Sequence, residues 1–270
     1  MNNDQDRNRA IGVFDSGLGG LTVVKEIMRQ LPNEDIVYFG DTARVPYGTK
    51  SKESIIRFSI ENVHVLLQHK VKMIVVACNS CSSLALDILQ RTFNLPVMGV
   101  IGPGAKKAVG ATKNKRVGII ATSATINSGA YTKEIQKIDG KIQVFGQACP
   151  LFVPLAEEGW FDHKVTEFVA EEYLKNIKKE KVDALILGCT HYPLLKSTFT
   201  KVMGKNVTLV DSAQEVAAGV KDFLEKNNQT RSLKAKPGYK FLISDEPTQF
   251  RKLAQRFLGR TIDHVERTTF

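Results

Sequence analysis

Cys78 in "VVACNSCSS" and Cys189 in "LILGCTHYPLL" each follow an apolar run directly, and Thr190 and His191 stand beside the second thiol. A thiol, a hydroxyl and an imidazole at the exit of a buried strand are groups that move protons. A free thiol titrates near pH ~8.5, and a helix start or a nearby cation lowers that value. The stretch "SLALDILQRTF" (83–93) reads as a helix after Cys78, and Pro193 opens a further apolar run after Cys189. Helix amides are therefore expected to favour a thiolate at both cysteines. His191 would polarise Cys189 or supply it with a proton.

The same residues admit other chemistry. Cys78, Cys81, Cys189 and His191 have the types of a four-ligand zinc set. Against this, Cys189 and His191 are two apart at a strand exit, where their side chains leave by different routes. Cys78 and Cys81 also form a C-x-x-C between a strand and a helix, the spacing of a redox pair, but without the usual aromatic and Gly-Pro interior. Buried, inert thiols are a further reading. Acid–base work by two separate thiols is the remaining one. On opposite sides of a substrate carbon, one would take the α-proton while the other returned one to the opposite face. A Schiff-base cofactor usually stabilises such a carbanion, and no lysine motif for one stands out. Asp15, Asn79, Thr190 and loop amides would then have to manage the developing charge.

Two loops supply further candidates. In "FDSGLGGLTVV" (14–24) the glycines permit a tight turn into a helix whose first amides can hold a carboxylate. Their spacing is not G-x-G-x-x-G, and no P-loop lysine follows. In "GDTARVPYGTK" (40–50), Pro46 and Gly48 flank Tyr47 in a loop able to wall a pocket.

Parallel strands are the elements expected to carry these residues. Short runs rich in Val and Ile occur at 11–14, 36–39, 73–77, 97–100, 117–120, 142–145, 184–187, 207–210 and 240–244. They do not alternate with polar residues, as befits strands covered on both faces. Amphipathic helical stretches lie between them, as at 21–31, 168–177 and 248–258. Together these indicate an α/β protein. "RAIGVFDSGLGG" from Arg9 and "KRVGIIATSATINSG" from Lys115 begin alike, and "IVVACNS" and "LILGCTH" follow each in turn. Asp15 precedes Cys78 by 63 residues and Thr122 precedes Cys189 by 67. Two similar units facing each other would explain this. Asp15, Ser16, Asp41, Cys78, Thr122 and Cys189 all fall at strand ends, where α/β sheets collect ligands.

Composition narrows the class. Hydrophobic residues at 43% and charged residues at 24% fit a globular chain, and no apolar run is long enough for a membrane helix. The N-terminal "MNNDQDRNRA" lacks the apolar core of a signal peptide. Four cysteines are too few for a disulfide scaffold. A cytoplasmic protein without membrane attachment is expected. The net charge of +10 is spread along the chain, and its densest run, 231–240, lacks an aromatic platform and reads as a solvated loop. The charge would help gather an acidic substrate; nucleic acid is not required.

These blocks resemble the cofactor-independent aspartate/glutamate racemase family, and within it the glutamate racemases. The resemblance runs through "GVFDSGLGGLTVV", "YFGDTARVPYG", "VVACNSCSS", "GVIGPGA", "ACPLFVPLAEEG", "ILGCTHYPLL" and "LVDSA", and on to the tail "FRKLAQRFLG". It implies interconversion of L- and D-glutamate for peptidoglycan, with no cofactor and no metal. It implies that Cys78 serves D-glutamate, assisted by Asp15, and that Cys189 serves L-glutamate, assisted by His191. Glu157, next to Glu158, matches a further carboxylate on the second side. Ser16, Pro46, Tyr47, Gly48, Asn79, Ser80 and Thr190 match substrate-contacting positions. It also implies two α/β domains with largely parallel sheets and the site between them: 10–98 plus 210–270, and 99–209. A homodimer is compatible with it. One departure is Cys-Asn-Ser-Cys, where the family pattern is Cys-Asn-Thr-Ala. The N-terminus reads as short, so the activation by a cell-wall precursor associated with a longer extension in some family members is not expected. The rival readings are an aspartate racemase of the same family, a small-acid binding protein with no need of paired thiols, and a zinc or dithiol protein relying on Cys81 as much as on Cys78.

Overall fold

The computed structural model describes residues 6–233, 235–262 and 264–269. The polar N-terminal segment begins in residues 1–5, which lie outside them, as does Lys234 in the basic run.

The chain opens with β1 (Ile11–Asp15), α1 (Leu21–Gln30), β2 (Ile36–Gly40), α2 (Lys52–Leu67), β3 (Met73–Val76), α3 (Asn79–Leu84), α4 (Leu86–Thr92) and β4 (Val97–Gly99). It continues through α5 (Ile101–Ala111), β5 (Arg116–Ala121), α6 (Ser123–Ser128), α7 (Ala130–Ile138), β6 (Gln143–Ala148), α8 (Phe152–Glu157), α9 (Lys164–Lys179), β7 (Ala184–Gly188), α10 (Lys196–Met203) and β8 (Thr208–Val210). It closes with α11 (Ser212–Lys226), β9 (Tyr239–Ile243), α12 (Pro247–Leu258) and β10 (Glu266–Arg267).

Two wholly parallel sheets result. One has six strands in the order β10-β9-β2-β1-β3-β4, the other four in the order β6-β5-β7-β8. The second sheet repeats the β2-β1-β3-β4 order of the first. The internal likeness between the blocks at Arg9 and Lys115 therefore maps β1 onto β5 and β3 onto β7. The apolar runs became strands for the expected reason: β1, β2, β3 and β7 are buried at every residue, under helices on both faces. The chain passes from the first sheet to the second after β4, and returns after β8 through α11, which packs on both α1 and α5.

Two features differ from the sequence reading. The helix expected over 83–93 is two helices, α3 and α4, meeting at Ala85. Ser82 and Ser83 turn their hydroxyls to the carbonyls of Val76 and Ser80, the competition that short polar side chains offer a helix backbone. The edge strand β10 carries charged, exposed Glu266 and Arg267, so no apolar run marks it. Among the described residues, no helix is long and apolar enough to cross a membrane.

Candidate active site

The ends of β1, β3, β5 and β7 converge on a small cavity. The six-stranded side contributes Ser16, Val45, Pro46, Tyr47, Gly48, Cys78, Asn79 and Ser80. The four-stranded side contributes Thr122, Val153, Cys189, Thr190 and His191. Glycine permits the close approach of the two sides. A Cβ on Gly19 would stand 2.1 Å from Thr190 Oγ1, and one on Gly48 would stand 2.5 Å from Thr122 Cβ.

Cys78 leaves β3 and precedes the first turn of α3, with its Sγ 3.7 Å from Ser16 Oγ. A hydrogen bond from the Cys81 thiol holds the Cys78 thiol below its ordinary range. Burial and the Asp15 charge oppose that shift, and Ser16 assists it. Cys81 is driven well above the ordinary range by burial and by its neighbour Cys78.

Cys189 leaves β7 with its Sγ 3.8 Å from His191 Nδ1, and His191 Nε2 lies 3.1 Å from Glu157 Oε1 at the end of α8. Burial works against a charged imidazole here. The bonds to Cys189 and Glu157 outweigh it, and the His191 pKa is pushed up to about 10. The expected helix start after Cys189 is instead a short 3-10 turn, Tyr192–Leu195, so the cation beside this thiol is His191. Of the adjacent Glu157 and Glu158, Glu157 carries the bond to His191.

Asp15 is fully buried and accepts hydrogen bonds from Gly17 N–H at 3.0 Å and from Thr190 Oγ1 at 3.3 Å. Burial raises its pKa, against the His191 charge and these hydrogen bonds. The resemblance assigns Asp15 to the Cys78 side. In the structure it spans the divide, because its charge acts on Cys78 while its oxygen receives the hydroxyl of Thr190, 175 residues away.

Two further hydrogen bonds cross the same divide, and Tyr47 is held within its own side. Tyr131, on α7, donates to Asn79 Oδ1 at 2.8 Å, which turns the Asn79 amide in one sense. Ser80 and Thr122 share a hydrogen bond at 2.9 Å. The Tyr47 hydroxyl donates to Asp41 and accepts from Asn62 Nδ2, so Tyr47 is anchored from behind.

The Asp/Glu/hydantoin racemase family model matches residues 11–220. The chain belongs to that family. It is 49% identical over 257 residues to a glutamate racemase of Geobacter metallireducens, covering 95% of each chain. It is 45% identical over 267 residues to one of Syntrophus aciditrophicus, covering 99% of each. Among solved structures, the glutamate racemase of Francisella tularensis in complex with D-glutamate has a TM-score of 0.92 at 42% identity, with 97% of this chain and 98% of that one covered.

In this member of the racemase family, all the residues expected to touch substrate line the cavity. Asp15 and Glu157 do not line it; each is hydrogen-bonded to a residue that does, Thr190 and His191 respectively. Glu157 faces a neighbouring open cleft between the 42–45 loop and α12. The sequence reading left out Val45, Thr122 and Val153. Thr122 was marked only as a strand end, while Val45 and Val153 are apolar and carry no chemical signal. Among the described residues, no lysine lines the cavity, and no three His, Cys, Asp or Glu side chains are grouped as metal ligands.

Proposed function

We propose that the chain is a glutamate racemase that interconverts L- and D-glutamate with two thiol bases. The carrying observation is that Cys78 and Cys189, from different sheets, open onto one cavity with different activating groups. From D-glutamate, the Cys78 thiolate takes the α-proton and the Cys189 thiol delivers one to the opposite face. From L-glutamate the roles reverse. The electron pair left on the α-carbon delocalises into the substrate carboxylate, which the polar groups at Ser16, Asn79, Ser80, Thr122 and Thr190 would hold. His191, charged at neutral pH, supports the Cys189 thiolate and can return its proton, while Glu157 holds the imidazolium in place. The two halves of the cavity belong, in this reading, to domains 10–98 plus 210–270 and 99–209, and closure between them would exclude water.

The choice of glutamate is supported by the glutamate racemases resembled over nearly the whole chain, one of them solved with D-glutamate. A cytoplasmic site of action, supply of D-glutamate to peptidoglycan and a homodimer belong to the same reading and rest on family resemblance. The test is incubation with each enantiomer of glutamate, and of aspartate, in D2O with and without a chelator. Either glutamate enantiomer should lose optical rotation while gaining α-deuterium, unaffected by chelation, and aspartate should not. Retained rotation for both glutamates would end the assignment; turnover of aspartate alone would move it to the sister activity.

A further inference from the structure

Cys81 is a buried thiol that does not reach the cavity, placed behind one that lines it. Cys78 stands just ahead of α3 and Cys81 is that helix's third residue. Side chains three residues apart on a helical turn have Cβ atoms about 5–6 Å apart, near neighbours whose sulfurs can meet after a small adjustment. Here both pack into one buried cluster, and Cys81 is the group that acts most strongly on the Cys78 thiol. Both thiols are free, and access separates their roles: Cys78 is 5% exposed and lines the cavity, whereas Cys81 is 0% exposed behind it. Cys189 lies on the opposite sheet with its own sulfur engaged by His191.

We infer that Cys78 and Cys81 are the attacking and resolving thiols of a reversible disulfide, which a peroxide forms and a dithiol reverses. The Cys78 thiolate attacks one peroxide oxygen, the O–O bond breaks, and the departing hydroxide takes a proton to become water, leaving Cys78 as a sulfenic acid. The Cys81 sulfur then attacks the Cys78 sulfur. The S–O bond breaks, and the hydroxide released combines with the Cys81 proton as a second water. The two thiols have lost two electrons to the peroxide. A dithiol returns those electrons by thiol–disulfide exchange and is itself oxidised to a disulfide. Without Cys81 the sulfenic acid would stay open to further peroxide and pass to the sulfinic acid, which a dithiol does not reduce. The lowered thiol at Cys78 and the raised one at Cys81 fit this division of labour.

That the bridge switches off turnover rests on the proposed function; that it forms does not. The full chain would be treated with hydrogen peroxide, alkylated, and mapped by peptide mass spectrometry, with glutamate racemisation followed in parallel. A Cys78–Cys81 bridge, turnover lost with its formation and regained in dithiothreitol, and slower bridging with glutamate bound are the expected results. Cys81→Ala should lose turnover to peroxide without regaining it, and should carry a sulfinic acid at Cys78; Cys81→Ser, nearer in size, provides the same comparison if the alanine variant does not fold. Full alkylation of Cys81 after oxidation, a bridge to Cys189 instead, or recovery of the Cys81 variants equal to that of the parent would each overturn the inference. A mapped bridge in a chain that does not racemise glutamate would leave it standing and fail the proposed function alone.

Discussion

The two thiols sit at equivalent places in two sheets of the same strand order, yet their surroundings differ in kind. At the end of β3 the groups acting most strongly on Cys78 are Cys81, the Asp15 charge and Ser16. At the end of β7 the neighbour of Cys189 is an imidazole kept charged, against burial, by its bonds to Cys189 and Glu157. In the proposed mechanism, the same topology thus presents one base beside neutral donors and one beside an ion pair. Racemisation asks for two bases on opposite faces; it does not ask for the same means of activating them.

Removing either sulfur should have the largest effect and tests whether the two sides are equally necessary. Cys78→Ala and Cys189→Ala should each lower kcat for glutamate by about 10²–10⁴-fold, the range for a lost acid–base group. A variant that keeps most of its turnover would break the pairing. His191→Asn sharpens the comparison further. Enantiomers have equal free energy, so kcat/KM must fall equally in both directions, by about 10²-fold. The asymmetry should appear elsewhere: the isotope effect from α-deuterated L-glutamate should rise more than that from the D-form. The opposite order would mean that His191 serves Cys78.

His191 also has a pH signature. Its folded pKa of about 10 lies above the ordinary 6.5, so the imidazolium stabilises the fold fully below about 6.5, and this contribution is lost as pH rises towards 10. The Tm difference between the parent and His191→Asn should shrink across that window. The smallest effect expected is from Tyr131→Phe, which leaves the Asn79 Oδ1 acceptor without its partner. Loss of about 1–3 kcal/mol of stability and a rise in KM larger than the fall in kcat are expected from denaturation and steady-state kinetics.

The strands were legible because a parallel strand under two layers of helix must be apolar at every position, and such runs stand out in a single sequence. The cysteines were legible because each directly follows such a run. Contacts between the sheets were not. That Asp15 receives the Thr190 hydroxyl, that Thr122 meets Ser80, and that Val45 and Val153 close the walls depends on how two sheets are set against each other. No local pattern encodes that. The break at Ala85 was missed for a related reason: Ser82 and Ser83 favour a helix start as readily as a helix end until their backbone partners are known.

The double passage between sheets has a consequence for the growing chain on a ribosome. The four-stranded sheet is complete once Val210 has emerged, but β2 acquires its outer neighbour only when Tyr239–Ile243 have been made. For most of synthesis β2, wholly interior in the finished molecule, is therefore a bare apolar edge, the kind of surface that recruits foreign strands. The half translated first is the half finished last.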